Sequence, residues 1–251
     1  MARPVTLITG ASAGLGVEFA RQCRARGDEL VLVARRRDRM EALAAELGSS
    51  HVVAADLSEP GAAGRLMEQV EALGLTVETL INNAGFGLAG RFHTLPADRL
   101  TQMIDLNVRA LAELCRLALP AMVGRGRGFI LNVASTAAFQ AGPNMAVYYA
   151  SKAFVLSLSE ALHHELKGKG IKVTALCPGP VATEFLEAAG IQSKLFDRVA
   201  ADAPSVVRAG LKGLDRNRAI VVPGLLNKLG AQSSRFVPRA LVRRVVGSIK
   251  V

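Results

Sequence analysis

The chain has 251 residues, half of them hydrophobic but only 4% aromatic, and carries a net charge of +10. That length suits one α/β domain or two small ones, and a large core has to be built from Val, Leu, Ile and Ala. The charge invites nucleic-acid, membrane-surface or acidic-ligand binding as readily as plain solubility, while three scattered cysteines without paired spacing (Cys23, Cys115, Cys177) argue against a disulfide framework or a cysteine metal site.

The first apolar run, Val5–Ile8, follows Met-Ala-Arg-Pro directly and is too short for a signal-peptide core. No stretch approaches the roughly 18 apolar residues of a membrane span. A cytoplasmic protein with reduced thiols is expected. Strand-like runs are predicted at Val5–Thr9, Leu30–Ala34, His51–Ala54, Leu80–Asn82, Phe129–Val133, Val173–Cys177 and Ile220–Val222. Helical patterns lie between them, such as Met40, Leu43, Ala44 and Leu47. Strands alternating with helices predict βαβ units, and strands apolar almost throughout predict a sheet covered on both faces. The expected fold is α/β: a doubly wound Rossmann arrangement in one domain over residues 1–251, with a seven-stranded parallel sheet. There is no internal repeat and no linker.

The first strand runs into Thr9-Gly10-Ala11-Ser12-Ala13-Gly14-Leu15-Gly16, and a helical pattern follows at once. Glycines there let the backbone approach a pyrophosphate, and the helix start supplies N–H groups and a positive dipole end. Gly10, Ser12, Ala13, Gly14, Leu15 and Gly16 are therefore candidate cofactor residues, although three glycines can also serve a turn alone. The second strand ends in Arg35-Arg36-Arg37-Asp38. An acidic residue at this place binds a ribose 2′-hydroxyl, whereas arginine accommodates a 2′-phosphate. Arg35 and Arg36 thus favour NADPH/NADP over NADH/NAD, the other reading being a solvated basic turn before helix Asp38–Leu47.

Tyr148 and Lys152 are four apart and share a helix face. An ammonium beside a phenol lowers its ordinary pKa near 10, so that the pair can exchange a proton with a substrate oxygen. Ser135, at the end of the fifth strand, has a hydroxyl that could hold the same oxygen. Tyr149 is a decoy, because the residue four further on is Ala153.

With these pieces in order, the chain resembles the short-chain dehydrogenase/reductase family, of the single-domain kind near 250 residues. The resemblance rests on Thr9–Gly16, Asp56-Leu57, Asn82-Asn83-Ala84-Gly85, Asn107, Ser135, Tyr148/Lys152 and Pro178-Gly179-Pro180-Val181-Ala182-Thr183. It implies an NAD(P)-dependent oxidoreductase, most simply an NADPH-linked carbonyl reductase or alcohol dehydrogenase. It makes Tyr148 the acid or base, Lys152 the group that lowers its pKa and holds the nicotinamide ribose, Ser135 the orienter of the carbonyl, and Asn107 the holder of a relay water. Asp56 and Leu57 would border the adenine. Asn83, Ala84 and Gly85 would flank the adenosine side, and Pro178, Gly179, Val181 and Thr183 the nicotinamide side. One departure is Ala13, where some NADPH-preferring relatives carry a basic residue.

Residues about 184–202 are expected to close over the substrate, and their apolar content suggests an apolar body such as an acyl, steroid-like or aromatic ketone. His163-His164 lacks metal spacing and is expected on a helix surface. Residues 216–251 hold eight Lys or Arg and no Asp or Glu. Apolar residues around Arg243 and Arg244 suggest a basic amphipathic helix, which can cover its own sheet, form a subunit contact, lie on an anionic membrane or meet an acidic partner. Packing or a contact within a homo-oligomer, dimer or tetramer, is the expectation. Nothing resembles a nucleic-acid module. The rival to an enzyme is a non-catalytic cofactor-binding or membrane-surface protein on the same fold, which should have lost the Tyr-Lys pair.

Overall fold

The computed structural model describes residues 2–190, 200–233 and 236–248. Seven strands form one parallel sheet in the order β3-β2-β1-β4-β5-β6-β7. They are β1 (Arg3–Thr9), β2 (Leu30–Ala34), β3 (Ser50–Ala54), β4 (Leu75–Asn82), β5 (Gly128–Val133), β6 (Ile171–Leu176) and β7 (Ile220–Val221). This is the doubly wound Rossmann arrangement expected from the sequence. The helices are α1 (Gly14–Ala25), α2 (Arg37–Leu47), α3 (Ala62–Ala72), α4 (Ala97–Ile104), α5 (Leu111–Arg125), α6 (Ala146–Glu165), α7 (Phe185–Ala188), α8 (Ala203–Asp215), α9 (Leu225–Ser233) and α10 (Arg239–Ser248).

Each face of the sheet has its own apolar layer. Helix α1 contributes Phe19, Ala20 and Cys23, α2 contributes Met40 and Leu43, and α8 contributes Val206, Val207, Leu211 and Leu214, packed on Ile8, Leu30 and Leu32. On the opposite face α3, α5 and α6 bring Leu66, Leu114, Met122 and Val155 against Leu7, Leu80 and Ile130. Strands covered on both sides cannot alternate, which is why they read as continuous apolar runs.

Two elements differ from expectation. Strand β4 begins at Leu75, five residues before the predicted Leu80, because Thr76, Glu78 and Thr79 break the apolar run. Two of these polar groups are held by arginines: Arg125 donates to Thr76 Oγ1 and to the Val77 carbonyl at 2.8 Å, and Arg127 pairs with Glu78 at 3.0 Å. The second is a π-helical turn, Asp105–Ala110, between α4 and α5, which carries the buried Asn107.

The basic tail does not cover the sheet. Both sheet faces are already filled, and α10 has no buried residue. Helix α9 is seated by Ala231 alone among its buried residues. Ser234, Arg235 and residues 249–251 lie outside the described residues. Among the described residues no helix is long and apolar enough to cross a membrane.

Candidate active site

The strand order reverses between β1 and β4, and ligands of such sheets bind beyond the carboxyl ends of the strands at that point. A cleft of about 530 Å³ opens there. Its outer wall is the turn from β1 into α1. Gly10 has φ +67°, and a Cβ on it would stand 2.9 Å from Asn83 Nδ2 and 3.0 Å from the Ala84 Cα. Thr9 ties this turn to the end of β4: its Oγ1 accepts from the backbone N–H of Asn83 at 3.0 Å and of Ala84 at 2.9 Å. Asn83 Nδ2 donates back to the Thr9 carbonyl at 2.9 Å. Thr9 and the Asn83 side chain are thus braces, and the backbone they hold forms the wall.

Of the glycine-turn candidates, Gly10, Ser12, Ala13, Gly14 and Leu15 line the cleft. Gly16 does not. A Cβ on Gly16 would lie 2.0 Å from the Gly10 carbonyl oxygen, so its glycine is needed for close packing of α1 on the turn rather than for ligand contact. The residue before the first turn of α1 is Ala13, whose side chain gives no cap. The first N–H groups of a helix need partners; Gly16 N–H reaches the Ala13 carbonyl at 3.1 Å, while Gly14 and Leu15 line the cleft at the positive dipole end. Glycine cradle, uncapped helix start and neighbouring arginines together fit a dinucleotide pyrophosphate.

Arg35, Arg36, Asp56 and Leu57 line the cleft at the ends of β2 and β3. Arg35 Nη1 lies 3.8 Å from Asp56 Oδ2. Burial opposes the Asp56 charge, but hydrogen bonds from Ser58 and the Arg35 cation hold the carboxyl below its ordinary range. Arg36 Nε and Nη2 donate to Ser12 Oγ at 3.4 Å, which brings this guanidinium against the turn. No sequence pattern marks Glu184, which pairs with Arg36 and with Arg39 of α2. Its carboxylate meets Arg39 at 2.9 Å and Arg36 at 3.5 Å, spanning from α2 to the segment after Thr183. Hydrogen bonding and charge from Arg39, with Arg36 adding to them, lower its pKa.

The inner end holds Ser135, Tyr148 and Lys152. Tyr148 and Lys152 come from α6, and Ser135 follows β5, where its Oγ accepts from the Ala137 N–H at 3.1 Å. The Tyr148 phenol, buried, is pushed up to about 12, with a hydrogen bond to Ser135 pulling the other way. Lys152, equally buried, is pushed down to about 8, and its Nζ donates to the Val133 carbonyl at 2.9 Å. Proximity on one helix face suggested that the ammonium governs the phenol. The tertiary packing changes the balance, because both groups leave water and desolvation is the largest cause at each.

Asn107 stands behind the cleft rather than in its wall. Its Oδ1 accepts from the Phe86 N–H at 3.1 Å, and its Nδ2 donates to the Phe86 carbonyl at 2.9 Å and to Ser151 Oγ at 3.1 Å. Gly85 leaves open the space between Asn107 and Lys152: a Cβ there would stand 2.9 Å from Asn107 Oδ1 and 3.5 Å from Lys152 Nζ. Asn83, Ala84 and Gly85 line the cleft, as do Pro178, Gly179, Val181 and Thr183.

Phe86, Met145, Phe185 and Ala188 also line the inner end, unmarked by any sequence pattern. So does Tyr149, set aside in the sequence; its ring packs edge-on to Tyr148 with centroids 6.1 Å apart. Phe185 packs on Tyr148 from the other side at 5.5 Å. The segment expected to close over substrate leaves and rejoins at one place, where Val181 bridges Ala201. Its central residues 191–199 lie outside the described residues. The histidines belong elsewhere. His164 is exposed as expected, but His163 is half-buried with Nδ1 2.8 Å from the Val173 carbonyl.

Comparison with known proteins identifies the family. The model of the short chain dehydrogenase family matches residues 4–193. The chain is 33% identical to the 2-(R)-hydroxypropyl-CoM dehydrogenase of Xanthobacter autotrophicus, over 80% of this chain and 83% of that one. A solved short-chain dehydrogenase from Sphingobium yanoikuyae, in complex with NADPH, superposes with a TM-score of 0.83 at 34% identity over 95% of both chains. The bulky-bulky ketone specific alcohol dehydrogenase from Comamonas testosteroni superposes with a TM-score of 0.77 at 31% identity, over 96% of this chain and 97% of that one. A family match across most of the chain, together with a cleft at the strand reversal and the Ser-Tyr-Lys cluster inside it, leaves one conclusion: this chain belongs to the short chain dehydrogenase family.

Proposed function

We propose that the chain is an NADPH-linked reductase of apolar ketones, and in reverse an alcohol dehydrogenase. The observation that carries this reading is that Ser135, Tyr148 and Lys152 line one end of the cleft together, Tyr148 and Lys152 buried one turn apart on α6. When bound, a reduced nicotinamide supplies the hydride. Tyr148 donates a proton to the carbonyl oxygen, and Ser135 holds that oxygen in place. The phenol is protonated at neutral pH, the form that reduction requires, and burial pushes it further that way. Lys152 restrains the phenolate that remains after transfer, and Asn107, beside Lys152 across the Gly85 gap, holds the water that returns the proton. The ammonium also suits a nicotinamide ribose.

Arg35 and Arg36 are the groups for a 2′-phosphate, and the NADPH complex of the Sphingobium relative supports that preference. NADH fits the same cleft with less use of those cations. Asp56 and Leu57 border the adenine, and Val181 and Thr183 meet the carboxamide. The apolar inner wall of Phe86, Met145, Tyr149 and Phe185 suits an acyl, steroid-like or aromatic ketone, and the bulky ketones named for the Comamonas relative support that choice. Three free, buried cysteines accord with a reducing cytoplasm. Exposed Leu117, Val123 and Phe154 on α5 and α6 accord with a homo-oligomer, dimer or tetramer.

The test is nicotinamide absorbance over a panel of ketones and alcohols with both cofactors. Oxidation of NADPH by bulky apolar ketones is expected. Cofactor binding without turnover of any panel member would favour a non-catalytic protein instead.

A further inference from the structure

We propose that the face formed by α9 and α10 docks on an anionic lipid surface. Helix α9 is turned inside out for a soluble helix. Its buried residue is Ala231, while Leu225, Leu226 and Leu229, which share the opposite arc at helical spacing, point to solvent, Leu226 at 81% exposure. Phe236 follows at 87%, and in α10 Leu241 and Val245 are about half exposed. Monomeric soluble proteins rarely present so continuous an apolar face unless something binds it.

The charge says what binds it. Lys228 flanks the leucines of α9. On α10, Arg244 stands on one side of the arc made by Leu241, Val242, Val245 and Val246, with Arg239 and Arg243 on the other. No Asp or Glu occurs from 216 to 251. None of the ion pairs among the described residues uses these four cations. An apolar arc edged by unpaired cations is the pattern of a helix lying in a lipid interface, with its apolar side among the acyl chains and its cations at the headgroups.

A second copy of the chain accounts less well for the same face. A two-fold contact is self-complementary, so it would bring this acid-free segment against its own copy and oppose the cations of α9 and α10 to one another. An anionic membrane meets both the apolar and the charged requirement. The face also adjoins the active cleft, since Thr136 lines both that cleft and a groove of about 400 Å³ between α9 and α10. The docking stands on these surface residues and does not depend on the proposed reaction.

The full-length protein is sedimented with vesicles of phosphatidylcholine alone and of phosphatidylcholine mixed with phosphatidylserine. Binding to the mixed vesicles at low salt, and its loss at high salt, is expected, because exposed charges are screened beyond a Debye length. Each cation near such a surface contributes on the order of fivefold, so Arg239→Ala with Arg243→Ala and Arg244→Ala should weaken binding roughly a hundredfold. Leu225→Ser with Leu226→Ser and Leu229→Ser should weaken it at least about tenfold, through lost apolar burial. Both variants should keep the parent's melting temperature and its turnover of a water-soluble ketone, since the altered side chains are exposed. Absence of binding to mixed vesicles overturns the proposal, as does equal binding to neutral ones. Leucine variants that bind as tightly as the parent would reduce it to charge adhesion and also sink it. A solution dimer that the leucine changes dissolve, with no vesicle binding, assigns the face to a second copy.

Discussion

Lys152 Nζ lies 5.8 Å from the centre of the Tyr148 ring, and its proton goes to the Val133 carbonyl rather than to the phenol. Two buried titratable groups therefore sit side by side, each pushed toward its neutral form by the loss of water. The consequences are measurable with and without substrate.

Tyr148→Phe keeps the ring against Phe185 and Tyr149 but removes the proton donor. Turnover should fall by about 10²–10⁴-fold, the usual contribution of a positioned acid, while fluorescence titration with NADPH should show nearly unchanged binding. Tyr149→Phe retains the edge-on ring contact and should keep turnover within a few fold. The reverse ranking would mean that the proton donor has been misassigned.

Lys152 gives the cofactor-free protein a specific pH signature. Its folded pKa, about 8, lies below the ordinary 10.5. The unfolded chain thus binds more protons between those values, and this side chain adds stability as pH rises through that window. Each unit of the shift is worth about 1.4 kcal/mol. Lys152→Met removes the effect and keeps Tyr148 and the cysteines in place; Cys177 loses only the lowering influence of the Lys152 charge, the last of its causes. The melting temperature of the parent minus that of Lys152→Met should therefore increase from pH 8 to pH 10.5. A flat difference across that range would show that the ammonium is not desolvated.

Arg35→Ala should raise the Michaelis constant for NADPH about tenfold or more, as expected for loss of a charge-assisted contact, and leave that for NADH almost unchanged. Equal losses with both cofactors would point to a folding role. Glu184→Gln releases Arg36 and Arg39 from their carboxylate. Exposed pairs are worth up to about 1 kcal/mol, so NADPH affinity should improve by no more than about fivefold. Calorimetric titration at low salt measures this, and weakened binding would contradict the competition.

Gly16→Ala places a methyl group against the Gly10 carbonyl, a backbone atom that cannot swing away. Overpacking of this kind costs about 1–3 kcal/mol or more, and denaturant unfolding should show a loss at or above the upper value. Gly64→Ala in α3, where the added carbon meets nothing within 4 Å, should instead stabilise by up to about 1 kcal/mol through helix propensity.

Strand and helix positions were legible in the sequence because burial on both faces leaves apolar runs that need no neighbour to be recognised. Leu30–Ala34 falls where it was predicted, and β4 was misjudged where polar residues interrupt the apolar run, Thr76 and Glu78 among them being satisfied by arginines from outside the strand. The glycine turn and the Tyr148/Lys152 spacing were equally local, since chain geometry alone places glycines at a strand end and residues four apart on one helix face. Tertiary structure decided everything that depends on partners distant in sequence. It withdrew Gly16 and Asn107 from the cleft wall and placed Tyr149 in it. It joined Glu184 to Arg36 and Arg39, more than a hundred residues away. It also turned the leucines of α9 outward, a choice that amphipathic spacing cannot make, because a helix wheel shows which residues share a face but not whether core or solvent lies opposite. The pKa balance at Tyr148 belongs to the same class. Desolvation is set by what the fold packs around a group, and neither residue type nor spacing contains it.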